Sequence, residues 1–183
     1  SFMGYAYRTG ASIAEAKRLD ALQAQAFPYI YVWQERIKWT VQREHKLVNC
    51  FGRIIPFLGP VDEHQWKSAC AALPQSGVAD ATAQAMRQIY RSGVAQVRNN
   101  IYDALLLQFY IQRCNSLEDE AFRLSGLIGS CVSAMSPTLS YNDVPFTVAI
   151  DAKIGLCWGT LEATSISHEA LLPHLYRIRE AAK

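Results

Sequence analysis

Two periods of hydrophobic and polar positions alternate along this chain, and its elements follow from them. From Ser12 the apolar residues Leu19, Leu22, Ala26, Ile30, Trp33, Ile37 and Val41 recur at steps of three and four, one stripe of a helix. Ser12 is the expected N-cap, with Glu15 three residues later as its capping-box partner. Pro28 interrupts the stripe and predicts either a kink or two helices meeting there. KLVNC at Lys46–Cys50, followed by FGRIIPF, predicts a short strand and turn with Gly52 at the turn. Glu63 to Ala72 is helical, and Pro74 closes that helix or opens the next. Val78 to Arg91 is helical again, with Val78, Ala81, Ala85 and Ile89 on one face and Ser92-Gly93 as its stop.

The pattern then shifts to the strand period. VAQVRNN and ALLLQFYI predict two strands flanking Ile101-Tyr102-Asp103, a hairpin with the aspartate at or near its tip. Ser116 with Glu118, Asp119 and Glu120 opens a further helix, acidic in its first turn as the helix dipole favours. Pro137 to Asp143 is expected to be loop, and PFTVAIDAKIG one strand alternating at Phe146, Val148 and Ile150. A last helix is expected from Ser167, its cap, to Ala182. Long helices with a small antiparallel sheet make the expected class α+β.

Composition narrows the setting. Half of the 183 residues are hydrophobic and 19% are charged, which excludes a disordered chain. A net charge of +2 is too small to announce nucleic acid by itself, so a basic surface requires local clustering. Arg36, Lys38, Arg43, Lys46 and Arg53 form such a concentration near the end of the first helical region. The five cysteines are odd in number and form no C-x-x-C pair, which points to reduced thiols. The four histidines are scattered, with no zinc spacing. No apolar run approaches the roughly 18 residues of a membrane span, so no membrane association and a cytoplasmic location are expected. Ser1-Phe2 ahead of Met3 resembles a cloning remnant, with Met3 as the expected native start.

Candidate chemistry centres on NNIYDALLLQ. A carboxylate at a hairpin tip is placed to bind a hard cation such as Mg²⁺, although aspartate is also a common turn residue. In ALPQSGVAD, Gln75 and Ser76 fall at an expected helix start, where backbone N–H groups attract phosphate or where Ser76 simply caps. Arg53, after the Gly52 turn, can contact phosphate or remain a solvated loop charge. Tyr5 and Tyr7 can stack on bases or pack.

In order along the chain, these segments resemble the C-terminal part of family A DNA polymerases, the DNA polymerase I-like family, particularly its phage branch. MGYAYRTG resembles the end of the long fingers helix, with Tyr7 on the family's tyrosine. AFPYIYVWQERI resembles a helix around a Phe-Pro pair, and LVNCFGRIIPF a strand carrying Phe-Gly-Arg. ALPQSGVAD resembles a motif helix whose glutamine and aspartate become Gln75 and Asp80. NNIYDALLLQ resembles motif C, where a His-Asp dipeptide ends a strand, here Tyr102-Asp103. VPFTVAIDAKIGLCWGTL resembles the closing strand, with its glycine and tryptophan at Gly155 and Trp158.

The resemblance spans about Met3 to Leu161 and implies a division of the chain. Residues 1–60 become the end of the fingers with connecting helices and a short strand, 61–161 a palm portion, and 162–183 a C-terminal helix. It implies that Asp103 is one of two aspartates holding Mg²⁺ at a primer 3′ end and an incoming dNTP. Gln75 and Arg53 become primer–template contacts, Tyr7 a neighbour of the templating base, Asn100 a neighbour of the primer terminus, and Tyr102 a nucleic-acid contact whose hydroxyl can reach a sugar or phosphate. Tyr102 stands where the family has histidine, and Ala104 where an acid commonly follows. Motif A and the basic fingers residues that grip the triphosphate are missing, so a two-metal site requires a second polypeptide carrying both. The implied protein is a split-polymerase fragment, inactive alone. The alternative is a non-catalytic DNA-binding or assembly module built on a palm-like scaffold.

Overall fold

The computed structural model describes residues 2–181, and only the backbone of Phe2, Met3 and Tyr5. Ser1, the side chain of Tyr5 and Ala182 of the expected last helix therefore lie outside the described residues. The fold is α+β, and its chain divides into two compact units, Ser1–Pro74 and Gln75–Lys183. Among the described residues its β portion is four separate two-stranded antiparallel sheets.

In the first unit, α1 (Phe2–Thr9) and α2 (Ile13–Ala26) precede α3 (Pro28–Glu44). Ser12 caps α2 as its sequence predicts, its Oγ accepting from the Glu15 N–H at 3.2 Å. Two helices meet at Pro28. The Phe27 N–H closes α2 on the Gln23 carbonyl, and Pro28 takes a first-turn position of α3 where a missing N–H costs nothing. His45, in the left-handed region at φ 52°, ends α3 with its N–H on the Val41 carbonyl.

Strands β1 (Lys46–Val48) and β2 (Ile54–Pro56) pair antiparallel, with Leu47 opposite Ile55. Gly52 supplies the left-handed residue of their connection, at φ 79°. The buried Asn49 organises it, since its Oδ1 accepts from the N–H groups of Phe51 at 2.9 Å and Arg53 at 3.0 Å.

The apolar stripe is covered over only part of its length. Ile37 and Val41 are buried, whereas Leu19, Leu22 and Ile30 remain 36%, 48% and 40% exposed.

Two expected helices are one. α4 runs unbroken from Glu63 to Ser92 with Pro74 inside it. Proline there deletes the bond to the Cys70 carbonyl and costs about 3 kcal/mol, but Ala71, Ala72 and Leu73 before it are strong helix formers. Burial also continues across it, at Ala69, Leu73, Gly77, Ala81, Ala85 and Ile89 in steps of four. Gly93, at φ 68°, ends α4 with its N–H on the Ile89 carbonyl, as expected.

In the second unit, β3 (Gln96–Ile101) and β4 (Ala104–Gln108) form the expected hairpin. α5 (Leu117–Met135) starts at Ser116, whose Oγ accepts from the Asp119 N–H at 3.1 Å. The expected loop at Pro137–Asp143 instead contains β5 (Leu139–Tyr141), paired with β6 (Val144–Phe146). Asn142 and Asp143 both take positive φ, the requirement of a type I′ two-residue turn, and this zips the flanking residues together. PFTVAIDAKIG is accordingly not one strand. β6 ends at Phe146, the Val148 carbonyl accepts from the Ser136 hydroxyl at 2.6 Å, and Ala152–Ile154 (β7) pairs with Glu162–Thr164 (β8).

Helix α6 (His168–Ala181) starts at the predicted cap, the Ser167 Oγ accepting from the Ala170 N–H at 3.3 Å. α5 and α6 build the main core of this unit from Ala121, Leu124, Ile128, Leu171 and Leu175. No helix among the described residues is long and apolar enough to cross a membrane.

Candidate active site

The β3–β4 hairpin pairs Ile101 with Ala104 and Asn100 with Leu105, which leaves Tyr102 and Asp103 as its two-residue turn. A bulge between Val97 and Asn99 shifts the register at Arg98, whose Nε donates to Gln108 Oε1 at 2.6 Å. Val97, Leu105 and Leu107 pack on a cluster of Ile89 from α4, Ala95, and Cys131 from α5. That apolar face seats the hairpin on two helices. Asn99 and Asn100 are exposed, and the Asn100 N–H donates to Asn99 Oδ1 at 2.9 Å.

Asp103 is exposed at the tip. Tyr102 beside it is 92% exposed and takes φ 56°, a left-handed conformation that a bulky side chain adopts at a cost of about 1–2 kcal/mol. One hairpin thus gathers Asn100, Tyr102 and Asp103.

The other sequence-predicted site residues lie elsewhere. Gln75 is exposed on α4, twelve positions past that helix's first residue, Glu63. Gln75 and Ser76 are therefore not at a helix start, and the free N–H groups expected to attract phosphate there are instead within a continuous helix. Arg53 and Tyr7 belong to the first unit, Arg53 exposed after the Gly52 turn and Tyr7 92% exposed on α1.

A single carboxylate offers at most two oxygens, and Mg²⁺ takes about six ligands with several of them water or phosphate. Among the described residues, no group of three or more His, Cys, Asp or Glu side chains is placed to hold a metal ion. The hairpin alone can present Asp103 to a cation but cannot enclose one.

Three arrangements escaped the sequence reading. Glu120 was expected only to complement the α5 dipole, yet it is 2% exposed and paired with Arg179 of α6. Its Oε1 also accepts from the Cys114 N–H at 2.9 Å, while Oε2 is buried without a hydrogen-bond partner. The Arg179 hydrogen bond holds this carboxyl below its ordinary value, against the burial that would raise it. Arg177 clasps Glu162 through two bonds of 2.8 Å and reaches His174 Nδ1 at 2.8 Å. Gly155 has no room for a side chain, because a Cβ there would lie 2.4 Å from the Thr160 carbonyl oxygen. Of the three, only the glycine left a mark in the sequence; the two pairings join residues fifteen or more positions apart.

No protein-family model, curated protein or solved structure matches this chain.

Proposed function

We propose that this chain is the C-terminal portion of a template-directed DNA polymerase of the family A type, working only when assembled with a second chain. In this reading Asp103 is one of two carboxylates that bind Mg²⁺, and the partner supplies motif A with the other, together with the basic residues that grip the dNTP. The observation that carries the reading is the hairpin itself: an exposed aspartate at the tip of a ribbon whose apolar face is anchored on α4 and α5. Such a tip can approach a primer terminus while its base stays fixed, the preorganisation that metal-assisted nucleotidyl transfer requires. Asn100 and Tyr102 flank the aspartate on the same ribbon, in reach of sugar or phosphate. Exposed Leu19, Leu22 and Ile30 offer the partner an apolar surface.

Primer extension by this chain mixed with a chain carrying motif A and the fingers basics tests the reading. Mg²⁺-dependent extension that disappears with Asp103→Asn is expected. Extension indifferent to that substitution, or none at all, rejects it.

Tyr102 and Ala104, which replace the family's histidine and acid, favour a second reading. A non-catalytic DNA-binding or assembly module would bind DNA with a steep salt dependence, without Mg²⁺ and unchanged by Asp103→Asn.

A further inference from the structure

Helix α3 has a second face that its own packing does not use. Tyr29, Val32, Arg36, Trp39 and Arg43 recur at steps of three and four and share one line along the helix, away from buried Ile37 and Val41. Tyr29 is 84% exposed, Val32 66% and Trp39 56%, and both arginines are exposed. The Arg43 guanidinium sits 5.0 Å from the centre of the Trp39 ring, holding a cation against an open indole.

No acid stands on this line. Glu35 lies beside it and faces Lys38 at 3.9 Å, and Glu44 lies about 110° around the helix from its centre. Among the described residues neither Arg36 nor Arg43 is paired with a carboxylate. Lys46, exposed just past the end of α3, extends the positive charge.

Flat rings alternating with unpaired cations suit a particular ligand. A protein partner would have to bring its own acids to meet both arginines and apolar surface to cover the rings between them. A DNA or RNA duplex keeps its base faces stacked inside and gives the rings little to cover. An unpaired strand presents both open base faces and phosphates. We propose that this face of α3 docks single-stranded nucleic acid, with Tyr29 and Trp39 stacking on bases and Arg36 and Arg43 neutralising phosphates. The proposal does not depend on the polymerase reading, since it uses none of the hairpin residues and requires no second chain.

Fluorescence anisotropy of a labelled oligothymidylate with the full chain provides the test. Trp39→Ala, and separately Tyr29→Ala, should weaken binding about 5- to 150-fold, the loss expected for one stacked base. Trp39→Phe keeps a ring and should retain most of the affinity. Replacing Arg36 and Arg43 together by Gln should lower the slope of log affinity against log salt by about 1.4. A wild-type chain that does not bind the oligonucleotide overturns the proposal. So does equal binding by the wild type, Trp39→Ala and the double arginine variant. Oligonucleotide binding that survives these substitutions while association with a protein is lost also overturns it, and assigns the face to that protein.

Discussion

Two helix pairs of similar length have opposite fates in this molecule. α5 and α6 close on each other: Leu124, Leu171 and Leu175 are all but inaccessible, and the Glu120–Arg179 pair joins the first turn of one to the last turn of the other. α2 and α3 carry a weaker apolar stripe, and only its second half, at Ile37 and Val41, is covered. Periodicity specifies that a face is apolar, and a third element must arrive to bury it. Where the chain supplies one, as β1 does beside α3, the stripe becomes core. Along α2 it stays in water, and exposed apolar side chains contribute little to stability.

Substitutions can break or sharpen this contrast. The largest effect is expected from Leu171→Ala, which empties a fully buried site and should cost about 3 kcal/mol in urea unfolding. A loss under 1 kcal/mol would show that α5 and α6 are no better packed than α2 and α3.

Arg179→Met should cost nearly as much, about 2–3 kcal/mol, because it strands the Glu120 carboxylate in the core. The same pair sets a pH dependence. The Glu120 carboxyl titrates below its ordinary value near 4.5, chiefly through the Arg179 hydrogen bond. The unfolded chain therefore takes up this proton first. The stabilisation is complete above pH 4.5 and is lost as pH falls through the folded value. Unfolding midpoints measured against pH should show this acid-side decline in the wild type and a shallower one in Arg179→Met.

A smaller effect of opposite sign is expected at the hairpin tip. Asn142 and Asp143 suit their positive-φ turn, whereas Tyr102 takes a positive φ against its bulky side chain. Tyr102→Asn should raise the thermal stability by about 1 kcal/mol. No gain would mean that the tyrosine recovers its backbone cost through contacts.

Leu22→Ala should do least, within about 0.5 kcal/mol, since the side chain is half exposed already. A loss matching Leu171→Ala would erase the distinction between the two helix pairs.

Most of what was legible in the sequence is short-range. Ser12, Ser116 and Ser167 cap as their spacing predicts, because a side-chain oxygen and an N–H three residues on are joined by the same turn. Gly93, the break at Pro28 and a hairpin tip within Ile101-Tyr102-Asp103 are equally local, although Ile101 belongs to the strand and leaves a two-residue turn. Pro74 misled because its local penalty is real, and a stripe of buried residues running past it outweighs that penalty. Asn142-Asp143 was a readable turn signal, but the apolar alternation after it appeared to belong to one long strand. At the candidate site, the sequence located the hairpin and its aspartate. It could not show that Gln75 lies in mid-helix.

By itself, then, the sequence determined the caps, the breaks, the apolar stripes and the position of Asp103 at a tip, since each depends on residues within about one turn of each other. Tertiary structure decided which stripe is buried, joined Glu120 to Arg179 across the α5–α6 pair, and left the aromatic and basic face of α3 in solvent. Those outcomes depend on which distant segment arrives to cover a surface, and the free energy of burial is defined only once both surfaces meet.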